Sequence, residues 1–273
     1  MSDQDKNLST SLSGSALDLA SRHTSPQELK LYGSWFCPFV QRAWITLEEK
    51  KVPYEYFEIN PYHKAPEFLA LNPRGLVPTL EVKGKKPLYE SIVVCEYIDE
   101  VSIDGQSEQR LLPGDAYERA RCRLWIDHIA TKIIPGWYKV MQHTADKAFT
   151  IDEARAEFHK HIESLVKEMV DVSNGPFFLG DKLSLVDIAL APWTKRLFLI
   201  DHYKSGGHGL PNASWSPEVK ARWEKWYEAI LDRKSVKDTC SDDARYIEAY
   251  KRYADDTTQS EVGQATRAGK RLP

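Results

Sequence analysis

The residue best suited to chemistry is Cys37, in the stretch Ser34-Trp35-Phe36-Cys37-Pro38-Phe39-Val40-Gln41-Arg42. Upstream, Leu29-Lys30-Leu31-Tyr32 reads as a short strand. Downstream, Val40, Ala43, Trp44 and Leu47 recur at i, i+3, i+4 and i+7, the stripe of an amphipathic helix. The pattern predicts a strand-to-helix junction with Cys37 just ahead of the helix. Pro38 then takes the first helical position, where a missing N–H costs nothing. The first-turn N–H groups should point at the sulfur, and the positive end of the helix dipole should favour thiolate over thiol. Val40 stands where a C-x-x-C pair would carry its second cysteine. Cys37 therefore cannot close a local disulfide and must exchange with a thiol brought from outside. The competing reading is a small buried hydrophobe, the fate of many cysteines. Junction, dipole and flanking proline together outweigh it.

The elements that must hold this residue follow in order. After the Cys37 helix, which runs to about Lys50-Lys51, Tyr54-Glu55-Tyr56-Phe57-Glu58-Ile59 is rich in strand-forming aromatics. This strand–helix–strand order implies a parallel pair with a right-handed crossover. Pro66 to Leu71 reads as a short helix between breakers. Thr79–Val82 and Lys86–Leu88 flank Lys83-Gly84-Lys85 as a hairpin. Ser91 should cap a helix whose apolar face is Val94, Tyr97, Ile98 and Val101. The order β-α-β-α-β-β-α is that of a thioredoxin-type domain, expected over residues 28–104. Turn formers and charges over 105–112 read as a linker. Residues 113–254 show helical stripes and no convincing strand. These include Cys122/Trp125/Ile126/Ile129, Phe158/Ile162/Leu165/Val166/Met169 and Val219/Trp223/Trp226/Tyr227/Ile230. Ser184-Leu-Val-Asp187 has the form of a capping box, opening a helix through Ile188, Ala189 and Trp193. The expected fold is α/β plus all-α, a thioredoxin-like domain followed by a helical bundle. The polar segments 1–27 and 255–273 read as tails.

Composition narrows the function. The chain has 273 residues, 42% hydrophobic and 28% charged, with a formal charge of −3, which gives no reason to expect nucleic acid. Cys37, Cys95, Cys122 and Cys240 are widely spaced, matching neither a zinc motif nor a disulfide framework, and fit a reducing cytoplasm. The histidines lack an H-E-x-x-H spacing, so no metal is expected. No apolar run approaches the ~20 residues that span a bilayer, and no stable membrane insertion is expected.

Taken together, Cys37-Pro38-Phe39, Leu76-Val77-Pro78, Glu90-Ser91 and the Ser184–Asp187 box resemble the cytosolic glutathione transferases. The cysteine where other classes carry tyrosine or serine is similar to the Omega class. The resemblance spans about residues 28 to 250 and implies glutathione as co-substrate. It implies that Pro78 is cis and that Val77 pairs through its backbone with the cysteinyl unit of glutathione as an added strand. It implies that Ser91, at a helix N-terminus, holds the γ-glutamyl carboxylate while Glu90 accepts from the ammonium group. Lys64 resembles the lysine that pairs with a glutathione carboxylate, and Phe39 the residue flanking the sulfur. Apart from the resemblance, Ser91 is an ordinary N-cap, Lys64 a solvated charge and Phe39 a core aromatic.

A co-substrate pocket lined by Trp193, Arg196 and Trp226 is expected from the stacking and donor capacity of those residues; helix–helix packing is the alternative for each tryptophan. The activity implied is a glutathione-dependent thiol transferase and reductase acting through a Cys37–glutathione mixed disulfide, on a small, aromatic or oxidised second substrate, in a homodimer. Two other functions use the same fold: a non-catalytic carrier of aromatic ligands, and a chloride-intracellular-channel-like protein.

Overall fold

The computed structural model describes residues 5, 8, 9, 11–101, 110–209 and 214–273. The chain forms two compact units. One comprises Ser9–Leu111 and Asp232–Arg245, the other Met1–Leu8, Leu112–Leu231 and Tyr246–Pro273.

The first unit is a four-stranded mixed sheet with helices, the thioredoxin-like architecture the element order predicts. Strands β1 (Leu29–Gly33), β2 (Glu55–Glu58), β3 (Thr79–Val82) and β4 (Leu88–Tyr89) lie in the order β2-β1-β3-β4. β1 and β2 are parallel, whereas β1–β3 and β3–β4 are antiparallel. Helix α1 is Gly14–Arg22. Helix α2 (Pro38–Lys50) crosses over between β1 and β2; α3 (Pro66–Leu71) and α4 (Ser91–Val101) follow. The α2 stripe read from sequence is buried: Val40, Ala43, Trp44 and Leu47 are each 1% exposed or less, against Leu31, Leu80, Val94 and Ile98. Removing these side chains from water is the main stabilising term of the unit. Gly33 closes β1 because α2 passes directly over it. A Cβ built there would come within 2.4 Å of Val40 Cγ1.

Two expectations need correction. The expected N-terminal tail contains α1, whose Ala16 and Leu19 are buried in the core around Trp44. Its apolar stripe is too short among serines to stand out in the sequence. The helical domain expected to run unbroken from 113 to 254 also gives up a segment, for 232–245 belongs to the sheet unit. Arg233 grips the Glu49 carboxylate of α2 at 2.8 and 2.6 Å, Gln41 Nε2 donates to Thr239 Oγ1 at 3.1 Å, and Cys240 O accepts from Ala16 N. The short helix α11 (Lys234–Asp238) lies in this segment. Most of the expected 105–112 linker lies outside the described residues; Leu111 and Leu112 are buried.

The second unit is helical, as expected. Helix α5 (Ala116–His128) passes through a π turn (Ile129–Ile133) into α6 (Ile134–Met141). Pro135 cannot donate to a carbonyl four residues back, and the ladder slips by one residue there. Helix α7 (Ile151–Glu168) starts in a capping box between Thr150 and Glu153. Helix α8 (Leu185–Thr194) starts in the expected box: Ser184 N–H and hydroxyl both donate to Asp187 Oδ2, at 2.8 and 2.6 Å. Helices α9 (Phe198–Tyr203), α10 (Pro217–Asp232), α12 (Asp243–Ala254) and α13 (Glu261–Arg267) complete the series. The segment expected as a C-terminal tail thus contains a helix, and it is anchored. The buried Asp5 carboxylate accepts from Arg252 Nη1 at 2.8 Å, from the Thr258 hydroxyl at 3.0 Å and from Gln259 N at 2.8 Å. A charge three bonds deep in the fold is a buried ion pair, which sequence polarity disguises as tail.

Candidate active site

Strand register alone gathers the candidates of the sheet unit at one edge. Tyr32 of β1 pairs with Thr79 of β3, and Thr79 with Tyr89 of β4. The chain therefore leaves β1 toward Ser34–Cys37, enters β3 from Val77-Pro78 and leaves β4 into Glu90-Ser91, all at the same end of the sheet. The Val77–Pro78 bond is cis.

Cys37 is the N-cap residue of α2, with φ −77° and ψ 118°, and Pro38 opens the helix. Its N–H donates to Ser34 O at 2.9 Å and its carbonyl accepts from Gln41 N at 3.1 Å. The side chain makes no capping hydrogen bond to the first turn. The expected capping bonds from those N–H groups to the sulfur are not made. Cys37 is half-buried, while Cys95, Cys122 and Cys240 are buried. Burial pushes the Cys95 thiol up to about 12 and the Cys122 thiol up to about 11, so neither is a thiolate near neutrality. The Cys240 thiol donates to Val236 O at 3.0 Å within the interior.

Around Cys37 the charges are arranged by the neighbouring elements. Phe39 is half-buried, with the Arg42 guanidinium 5.5 Å from its ring centroid. Arg42 itself is 2% exposed and donates from Nη1 to Ser91 Oγ at 3.2 Å, tying α2 to the N-terminus of α4. Ser91 is thus both the first residue of α4 and the acceptor of a buried cation. Glu90 has φ +70°, a left-handed conformation costly for a residue with a Cβ. Its exposed carboxylate pairs with Arg74 Nη1 at 2.9 Å. Lys64 lies over the loop before β3; a Cβ at Gly75 would come within 2.9 Å of its Nζ. Val77 is half-buried beside the buried Pro78.

Sequence reasoning missed Arg42, Arg74 and Glu58. Arg42 and Arg74 fall among ordinary charged positions, and only the fold shows that they meet Ser91 and Glu90. Glu58 ends β2 with its carboxyl accepting from Trp35 N at 3.1 Å and from the Tyr56 hydroxyl at 2.6 Å. Burial pushes this carboxyl up to about 8.

The expected co-substrate residues are corrected. Trp193, Arg196 and Trp226 are each 1% exposed or less and sit in the interior of the helical unit. Trp226 Nε1 donates to Asp187 Oδ1 at 2.7 Å. Arg196 Nε donates to the Tyr250 hydroxyl at 2.9 Å, Nη1 to Pro192 O at 2.5 Å, and its guanidinium stacks over Tyr246. Side chains buried to this extent serve the packing of the helical unit. Among the described residues no group of three or more His, Cys, Asp or Glu is placed to hold a metal ion, and no helix is long and apolar enough to cross a membrane.

A glutathione S-transferase N-terminal domain model matches residues 36–101, and a glutathione S-transferase C-terminal domain model matches residues 148–229. Pig glutathione S-transferase omega-1 is 34% identical over 171 residues, covering 62% of this chain and 67% of that protein. The chain belongs to the glutathione transferase family. In structure it is similar to glutathione transferase Omega 3C from Trametes versicolor, with a TM-score of 0.77 and 38% identity over 92% of this chain and all of that one. It is also similar to a rice glutathione transferase solved in complex with glutathione, at TM-score 0.65 and 26% identity over 82% of this chain and 96% of that one. Glutathione is the family's co-substrate. One end of the sheet brings together the Cys37 thiol, the exposed Glu90 carboxylate with its Arg74 partner, and the Ser91 hydroxyl at a helix N-terminus.

Proposed function

We propose that this transferase is a thiol transferase and reductase in which Cys37 carries glutathione as a mixed disulfide. The observation that carries the reading is that Cys37 alone of the four cysteines is both open to solvent and placed at a helix N-cap. The Cys37 thiolate attacks the glutathionyl sulfur of a mixed disulfide R–S–S–G. A Cys37–S–S–G bond forms and R–S⁻ leaves, taking up a proton. The thiolate of a second glutathione then attacks the glutathionyl sulfur, releasing oxidised glutathione and restoring Cys37. With dehydroascorbate the same couple delivers two electrons and two protons, and two glutathiones end as one disulfide.

Binding roles follow from the chemistry of the edge. The Ser91 hydroxyl and N–H receive the γ-glutamyl carboxylate at the positive end of α4, with Arg42 adding its charge from behind. Glu90 receives the ammonium group, exchanging it for Arg74; the Arg74–Glu90 pair is about half exposed on both sides, so exchange costs ~1 kcal/mol or less. Val77 contributes its backbone, Lys64 a cation for the glycyl carboxylate, and Phe39 a wall beside the sulfur. The alternative of a carrier of aromatic ligands draws on the abundance of tryptophan and tyrosine in the chain; Trp193 and Trp226 are buried and serve packing. We further read the protein as a cytoplasmic homodimer; the exposed Tyr89 and Val93 of the sheet unit and Tyr117 and Leu124 of α5 supply apolar contact surface.

The test is turnover. Dehydroascorbate and a small mixed disulfide should be reduced by the wild type in the presence of glutathione. Cys37→Ser should lose on the order of 10²-fold or more of that activity. Activity retained in Cys37→Ser ends the proposal.

A further inference from the structure

The Ser34–Cys37 loop is bolted to the end of β2. Gly33 pairs with Glu58 in the sheet, Ile59 N donates to Gly33 O at 2.6 Å, and the Ser34 hydroxyl donates to Ile59 O. A further tie is titratable. Glu58 Oε1 accepts the Trp35 N–H at 3.1 Å, two residues before Cys37, while Oε2 accepts the Tyr56 hydroxyl at 2.6 Å. Tyr56 in turn stacks on Trp44 of α2, with ring centroids 4.4 Å apart. A half-buried carboxyl group beside a reactive loop is more than a plain structural anchor needs, since a neutral side chain would make the same two contacts with no charge to desolvate.

We propose that Glu58 is a positioning residue that holds the Cys37 loop and couples its own protonation to that of the Cys37 thiol. The proposal rests on Cys37 being the working thiol of the reading above. Its physical content is a two-site titration. While Glu58 keeps its proton, Cys37 ionises beside a neutral group. Once Glu58 ionises, a second negative charge stands behind the same short loop and the thiolate is disfavoured. The coupling is reciprocal: a thiolate at Cys37 raises the affinity of Glu58 for its proton.

Several groups among the described residues face this pair. Tyr56 belongs to β2 and Tyr54 precedes it, and both hydroxyls are pushed far above their ordinary range by burial, so they stay neutral. Arg245 lies over the Trp35 ring, its guanidinium 5.6 Å from the centroid. Glu48 and His23 meet Tyr54 on its far side, where the Tyr54 hydroxyl donates to Glu48 at 2.7 Å. Burial, which raises the Glu58 carboxyl to about 8, sets the switch within the working range of a thiol.

The experiment is the rate of iodoacetamide alkylation at Cys37, read by peptide mass spectrometry from pH 5.5 to 10, in the wild type and in Glu58→Gln. Glutamine keeps an acceptor and cannot ionise. The wild-type profile should need two ionisations, one near pH 8. Glu58→Gln should follow a single thiol titration and lack the inflection near pH 8. Superimposable profiles overturn the proposal; a structural anchor alone would change stability and leave the shape of the curve untouched. Should Glu58→Gln fail to fold, carboxyl NMR of the full-length protein decides. The Glu58 titration midpoint should fall in Cys37→Ala relative to wild type, and an unmoved midpoint overturns the coupling. Oxidised glutathione is used in parallel on the wild type. An absent Cys37 adduct defeats the proposed function, whereas an adduct with superimposable alkylation profiles defeats only the role of Glu58.

Discussion

The tightest joint in the site is Gly33 under Val40, and it can be tested by adding one carbon. In Gly33→Ala the new Cβ would stand 2.4 Å from Val40 Cγ1, where carbon atoms ordinarily approach to about 3.5–4.0 Å. The shortfall is about 1.1–1.6 Å, and Val40 is 1% exposed with no room to retreat. The backbone of Gly33 is not left-handed, so alanine adds only the clash. The first turn of α2 must lift, at about 1–3 kcal/mol. Cys37 caps that turn, and a displacement of about 1 Å at a reacting group costs on the order of 10²-fold in rate. Val40→Ala alone deletes two buried methyls and should cost about 2–3 kcal/mol. In the double variant the truncated side chain makes room for the added one. Urea denaturation across the four proteins should therefore give a coupling energy of about 1–3 kcal/mol, and the second substitution should recover part of the activity lost to the first. Costs that simply add, to within about 0.5 kcal/mol, would refute the steric reasoning, as would a Gly33→Ala protein with full thiol transfer.

Asp187→Ala should be among the most destabilising single changes in the helical unit, at about 3–5 kcal/mol in urea denaturation. It strands Ser184 N–H, Phe178 N–H and Trp226 Nε1, which all donate to that carboxylate at 2.7–2.9 Å. Asp99→Ala should cost a similar amount, because it removes the carboxylate 2.9 Å from the buried ammonium of Lys50, 2% exposed; restoration by Lys50→Met in the double variant checks the cause. Stability should also fall as pH rises from about 4.5 to 8 through Glu58. Its carboxyl ionises near 4.5 in the unfolded chain and only near 8 in the fold, so the native state binds the extra proton across that window. Urea midpoints measured between these limits should slope downward in wild type and more shallowly in Glu58→Gln.

Much of the sheet unit was legible because its signals are local. A strand followed by Pro38 and a 3.6-period stripe defines the Cys37 junction, and Ser184-Leu-Val-Asp187 defines its own cap. What failed were signals that need the third dimension. Trp193, Arg196 and Trp226 carry binding chemistry in their side chains, yet nothing in the chain's order says that Asp187 and Tyr250 will consume it. Asp5 looks like tail polarity until Arg252 and Thr258 close on it across almost the whole sequence. Ala16 and Leu19 are too few to declare a helix. The return of 232–245 to the sheet unit depends on Glu49 receiving Arg233, a pairing that charge composition cannot distinguish from two solvated side chains. Glu58 was invisible because only the fold brings its carboxyl to the Trp35 N–H of the Cys37 loop.

The central claim concerns one sulfur. Peptide mass spectrometry of the wild-type protein after oxidised glutathione at neutral pH should find a single glutathionyl adduct, on Cys37, which free glutathione then removes. An adduct on Cys95, Cys122 or Cys240, or an unmodified Cys37, would contradict the account.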